Sequence, residues 1–149
     1  MQRKQSENKK ILNASPLEYD GISFKSKLEK MAYQTLKENR LPVEYEPKKF
    51  IIWEGFKPTV PFYNKDTKTR MLKQETKKLI SISYTPDFVL NYNGYLVILE
   101  LKGMENDIYP LKKKMFRKWL EENEPHSIYF EIYTKKQLLQ AIEIIKKLT

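Results

Sequence analysis

The chain has 149 residues, no cysteine, the single histidine His126, and a formal net charge of +9 from 28 Lys+Arg against 19 Asp+Glu. The missing thiols exclude disulfides and thiolate zinc sites, so any metal must be held mainly by oxygen ligands, which points to Mg²⁺ or Mn²⁺. No apolar run is long enough to span a bilayer, which excludes a membrane-spanning role, and the positive charge favours phosphate-rich partners bound in a salt-dependent way.

Residues 1–20 open with Arg3, Lys4, Lys9 and Lys10, show little periodicity, and read as a flexible basic arm. Met1 to Lys10 are polar and lack the apolar core of a secretory signal, so a cytoplasmic protein is expected. The remainder, 21–149, reads as one domain. Phe24, Leu28, Met31, Ala32, Thr35 and Leu36 recur at helical spacing, and Ser26-x-x-Glu29 matches a capping box, which predicts a helix starting at Ser26 and ending at Leu41-Pro42. Glu29 lies at the edge of the apolar stripe, where it serves either the cap or a site.

Val43–Glu46 and Phe50–Trp53 read as one strand interrupted at Pro47, an edge or bulge feature. Residues 55–79 form a basic insertion, with Lys57, Lys65, Lys68, Arg70, Lys73, Lys77 and Lys78 against Asp66 and Glu75. Within it, Met71 to Leu79 fits either a short helix or an extended β-ribbon. The insertion is either a solvated loop or a DNA-facing one with Phe56, Phe62 and Tyr63 at its base. Ile80, Ile82 and Tyr84 alternate with Ser81, Ser83 and Thr85, marking a strand that leads into Pro86-Asp87.

A hairpin follows. Asn93-Gly94 between two apolar runs predicts a two-residue type I′ turn, since both positions need positive φ. The register then pairs Tyr92 with Tyr95, Leu90 with Val97, Phe88 with Leu99, and Asp87 with Glu100. Alternation puts Glu100 and Lys102 on one face, and Asp87 joins them from the facing strand. Two facing carboxylates repel, and a divalent cation between them converts repulsion into coordination. The plain alternative is a polar hairpin face. Beyond Gly103, Pro110 suits the first turn of a helix running to about Glu122. Lys112, Lys113, Lys114, Arg117 and Lys118 lie on it, with Leu111, Met115, Trp119 and Leu120 marking the other face. Ser127–Tyr133 reads as a strand with Ile128, Phe130 and Ile132 on one side. Thr134-x-x-Gln137 opens a last amphipathic helix through Leu148.

Pro86-Asp87, a hairpin, then Glu100-Leu101-Lys102 resembles the signature of the PD-(D/E)XK nuclease superfamily. The wording Tyr-Thr-Pro-Asp-Phe followed by Glu-x-Lys-Gly is similar to phage endonuclease I, a Holliday junction resolvase, and to the endonuclease subunit of some heteromeric transposases. Small phage-borne members share the Asp-Gly-Ile-x-Phe-x-Ser-x-x-Glu start at Asp20–Glu29 and the Tyr-x-Leu-Lys-x-Lys stretch at Tyr109–Lys114. The resemblance runs from about Asp20 to Tyr133. It implies an α/β fold with a three-layer restriction-endonuclease-like core, a mixed sheet flanked by helices in the order α-β-β-β-α-β-α.

It also implies a metal-dependent endonuclease acting on duplex or branched DNA in a bacterial host cell, phage or prophage encoded. Asp87, Glu100 and the main-chain carbonyl of Leu101 would hold Mg²⁺ or Mn²⁺. Glu29 would complete the site, and Lys102 would position the attacking water or stabilise the pentavalent charge. The helix after the Glu-x-Lys strand flanks the site in this family, which assigns Lys112, Lys113, Lys114, Arg117 and Lys118 to DNA, with Arg70 and Lys73 from the insertion. No organic cofactor is implied, and no Gly-rich phosphate loop is present. A homodimer is raised by phage endonuclease I, an intertwined dimer, but residues 47–79 differ and its geometry does not carry over. A catalytically inactive DNA-binding module on the same fold is the alternative; an ordinary interaction protein leaves the charge and the carboxylate register unexplained. RNA as substrate stays open.

Overall fold

The computed structural model describes residues 17–103 and 108–149. The basic start of the chain, with Arg3, Lys4, Lys9 and Lys10, lies outside the described residues. In chain order the elements are β1 (Glu18–Tyr19), β2 (Ile22–Ser23), α1 (Lys27–Glu38), β3 (Phe50–Trp53), β4 (Tyr63–Lys65), β5 (Leu72–Gln74), β6 (Ile82–Tyr84), β7 (Phe88–Tyr92), β8 (Tyr95–Leu101), α2 (Tyr109–Asn123), β9 (Ser127–Ile132) and α3 (Lys135–Lys146). This is a mixed α/β chain with small sheets. Its described residues separate into two compact units, 17–47, 86–103 and 126–149 in one, 48–85 and 108–125 in the other.

The first unit holds the three-stranded sheet β7-β8-β9, antiparallel then parallel. Asn93 and Gly94 both have positive φ, 46° and 82°, as a type I′ turn requires. The expected register follows from it: Tyr92 pairs with Tyr95, Leu90 with Val97 and Phe88 with Leu99. Phe88, Leu90, Val97, Leu99 and Leu101 face a core completed by Ala32, Tyr33 and Leu36 of α1 and by Leu138, Ala141, Ile142 and Ile145 of α3. Both helices start as their sequences predict. The Ser26 side chain accepts from the Glu29 N–H at 3.1 Å, and Thr134 and Gln137 form a reciprocal capping box. The buried stripe of α1 includes Tyr33 and Glu29, while Leu28 and Met31 are only partly buried.

Residues 17–20 depart from the expected arm. Glu18–Tyr19 pairs with Ile22–Ser23 across Asp20-Gly21, both at positive φ. Val43–Glu46 is no strand either; only Tyr45 joins a ladder, through an isolated bridge to Phe88.

The second unit pairs β3 with β6 antiparallel, with a register shift between Ile51 and Trp53. An aromatic cluster fills it: Phe50 lies 5.0 Å from Phe116 and 5.3 Å from Trp119, and Tyr84 lies 4.8 Å from Phe116. The buried face of α2 is therefore Tyr109, Phe116 and Leu120, and Leu111, expected inside, is exposed. Ile80 is exposed as well, since β6 begins only at Ile82. The basic insertion takes the ribbon form: β4 and β5 pair antiparallel with Asn64 opposite Lys73. At its base Phe56 and Leu79 bridge, and only glycine fits at position 55, where a Cβ would come 2.3 Å from the Leu79 carbonyl oxygen.

Gly94→Ala is expected to cost about 1–2 kcal/mol, the penalty of a side chain in the left-handed region, read as a lower urea midpoint with an unchanged m-value.

Candidate functional site

Counting one step outward from the Phe88–Leu99 pair sets Asp87 against Glu100, on the sheet face opposite the core. The hydrogen bonds agree. The Asp87 N–H donates to Glu100 Oε2 at 3.4 Å, and the Leu101 N–H donates to Asp87 Oδ2 at 2.8 Å. Both residues are buried, 8% and 6% exposed. Lys102, two residues along the same face, places its ammonium 2.7 Å from Glu100 Oε1. The sheet thus gathers three sequence-predicted side chains and the backbone of Leu101.

Glu29 reaches the same unit from the first turn of α1. Its Oε2 accepts from the Tyr45 hydroxyl at 2.6 Å and the Lys25 N–H at 3.2 Å, and its Oε1 accepts from the Ser26 hydroxyl at 3.0 Å. Glu29 is therefore the residue whose N–H the cap satisfies and also a buried carboxylate whose charge acts on Asp87. Among the described residues, no three carboxylate or imidazole groups converge closely enough to ligate one ion as they stand. Asp87 and Glu100 are the close pair, with Glu29 set back in its own hydrogen bonds.

Burial pushes the Asp87 carboxyl up to about 8, with the facing Glu100 charge adding to the effect and Glu29 contributing further; the Leu101 N–H and Lys102 act in the opposite direction. A carboxyl so disposed holds a proton at neutral pH unless a cation replaces it. Burial and the Glu29 carboxylate likewise push the Tyr45 hydroxyl far up, so it stays a donor. The acceptor-rich, thiol-free donor set suits a hard oxygen-seeking cation.

Two contributors escaped sequence reasoning. Tyr45 lies 16 residues from Glu29 with no periodic relation to it. Glu131 pairs in register with Glu100 across the parallel strands, which puts a further carboxylate on the same face. Alternation already set Glu131 opposite Ile128, Phe130 and Ile132; the missing information was which strand β9 pairs with. Asp20-Gly21, both at positive φ, is a hairpin signal of the same kind as Asn93-Gly94.

The basic side chains belong to the second unit. Lys114, Arg117 and Lys118 of α2 are exposed, Lys112 and Lys113 partly so, and Lys113 sits over the Tyr109 ring. On the ribbon Arg70 is exposed at a φ of 61°, and the Lys73 ammonium lies 3.7 Å from Asp66. No helix among the described residues is long and apolar enough to cross a membrane.

The raised Asp87 value makes a stability prediction. Between its ordinary 3.8 and about 8 the folded state binds more protons than the unfolded state, so stability is fully present below about pH 4 and declines as pH rises through that interval. In EDTA the urea midpoint should fall from about pH 5 to about pH 8.5, by the equivalent of a few kcal/mol. Asp87→Asn should remove most of that slope.

The model of one protein family, described as Protein of unknown function (DUF1064), matches residues 9–135. No curated protein and no solved structure matches the chain. Since the matched span covers well over half of the sequence, hairpin and site included, the chain belongs to the DUF1064 family.

Proposed function

We propose that the chain is a metal-dependent endonuclease that hydrolyses DNA phosphodiester bonds, on the three-layer restriction-endonuclease-like core of the PD-(D/E)XK superfamily. The observation that carries this reading is the buried facing pair Asp87 and Glu100 with Lys102 beside it, at the spacing that the resemblance assigns to metal and phosphate chemistry. A protein gains no stability from two desolvated carboxylates held together, so a cationic ligand gives the arrangement its purpose.

Asp87 and Glu100, with the main-chain carbonyl of Leu101, would hold Mg²⁺ or Mn²⁺, and Glu29 would contact it through water or hold a second ion. A bound divalent ion supplies a more acidic water and neutralises charge on the phosphate. The chain's own groups do the rest. Glu100 holds the Lys102 ammonium in place, 13% exposed at the side chain, where it can donate to a phosphate oxygen or orient the attacking water. Lys112, Lys113, Lys114, Arg117 and Lys118, with Arg70 and Lys73, supply the positive charge that engages the DNA backbone. Preference for branched DNA, a homodimeric assembly and a bacterial cytoplasmic setting belong to the same reading and rest on the resemblance.

The test is cleavage of linear, nicked, single-stranded and four-way-junction DNA in Mg²⁺ or EDTA. Wild-type protein should cut only with metal, and Asp87→Asn should fall to background while retaining DNA, because the amide resembles the protonated carboxyl of the metal-free site and leaves the basic side chains untouched. Undiminished cutting by the mutant would sink the assignment, and metal-independent binding without cutting would favour the inactive DNA-binding module. Changing Lys114, Arg117 and Lys118 to alanine should flatten the plot of log K against log salt by about 0.9 for each phosphate no longer neutralised, with no change at the carboxylate pair.

A further inference from the structure

We infer that Tyr45 is a positioning residue that ties the helix-borne carboxylate of Glu29 to the strand carrying Asp87, so that Glu29 presents a single oxygen to the cation; this rests on the metal-dependent reading above. The connection to the strand runs through backbone pairing. Residue 45 bridges Phe88 in antiparallel fashion, and the N–H of Glu46 donates to the Asp87 carbonyl at 2.7 Å. Glu46 takes a φ of 45°, unusual for a residue with a side chain, and Lys25 pairs with its carboxylate. The Tyr45 ring is held between Phe24 at 4.7 Å and Phe88 at 5.6 Å, which fixes where the hydroxyl points.

That hydroxyl donates to Glu29 Oε2 at 2.6 Å, and the Lys25 N–H donates to the same oxygen. A carboxylate has about four acceptor positions. Three are filled, two on Oε2 and one on Oε1 by Ser26, which leaves one on Oε1. Glu29 can therefore serve as a monodentate or water-mediated ligand and not as a bidentate one. Tyr45 sets this limit, since without its hydroxyl the carboxylate regains an acceptor position and its freedom to turn.

Tyr45→Phe keeps the ring and deletes the hydroxyl. Mn²⁺ binding is read by calorimetry and by the Mn²⁺ spin-resonance spectrum on the full chain, with Glu29→Gln and the double variant alongside. Tyr45→Phe should weaken Mn²⁺ binding about tenfold, as losing an outer hydrogen bond to a metal ligand does. Its spectrum should broaden, and the double variant should bind no worse than Glu29→Gln alone. Near-ultraviolet circular dichroism checks that the ring cluster is intact. Unchanged Mn²⁺ affinity in Tyr45→Phe, or fully additive losses in the double variant, would overturn the positioning role while leaving the metal site standing. If wild-type protein and Tyr45→Phe both bind no Mn²⁺, the metal-dependent reading fails and the inference falls with it.

Discussion

Two carboxylates are held face to face out of water, and much of the first unit can be understood as the structure needed to keep them there. Ionising two directly opposed strand carboxylates together would destabilise the sheet, and taking them out of water costs free energy even while Asp87 keeps its proton. What opposes it is apolar: the reverse face of the same strands carries Phe88, Leu90, Val97, Leu99 and Leu101 into the core. One sheet thus has a stabilising face and a costly face, locked together by a register that cannot slip without turning every side chain over. The Leu101 N–H and the Lys102 ammonium recover part of the cost where it arises.

How much of this could be read from residues depended on distance along the chain. The hairpin was fully legible, because a two-residue turn with both φ values positive permits one register, and Asp87 and Glu100 follow by counting. The helix starts at Ser26 and Thr134 were legible for the same local reason, as capping chemistry lies within four residues. Leu111 and Ile80 were misjudged because periodicity says which residues share a face and not which face a neighbour covers; aromatic packing around Phe50 selected Phe116 instead. Tyr45 and Glu131 were beyond reach, since both depend on pairings between distant segments.

The interleaving of the two units was likewise invisible to composition. The chain leaves the first unit after Pro47, returns at Pro86, leaves again in the connector after β8 and returns at His126. A proline stands at three of these crossings, Pro47, Pro86 and Pro125, and the segment 48–85 is rich in lysine, but neither signal says that the chain returns to a unit it has left. Each unit has its own core: aliphatic and aromatic in the first, almost wholly aromatic in the second.

The parallel pairing of β8 with β9 has a kinetic consequence. A hairpin closed by Asn93-Gly94 forms on the order of 1–10 μs, so the register that sets Asp87 against Glu100 is established early. Strand β9 must wait for α2 to be traversed, and such non-local closure is slow. Its arrival sets Glu131 in register with Glu100, with the Glu131 carboxylate accepting from the Tyr133 hydroxyl at 2.8 Å. The hairpin register is therefore set before the third strand arrives, and the parallel pairing is the slower step that completes the sheet.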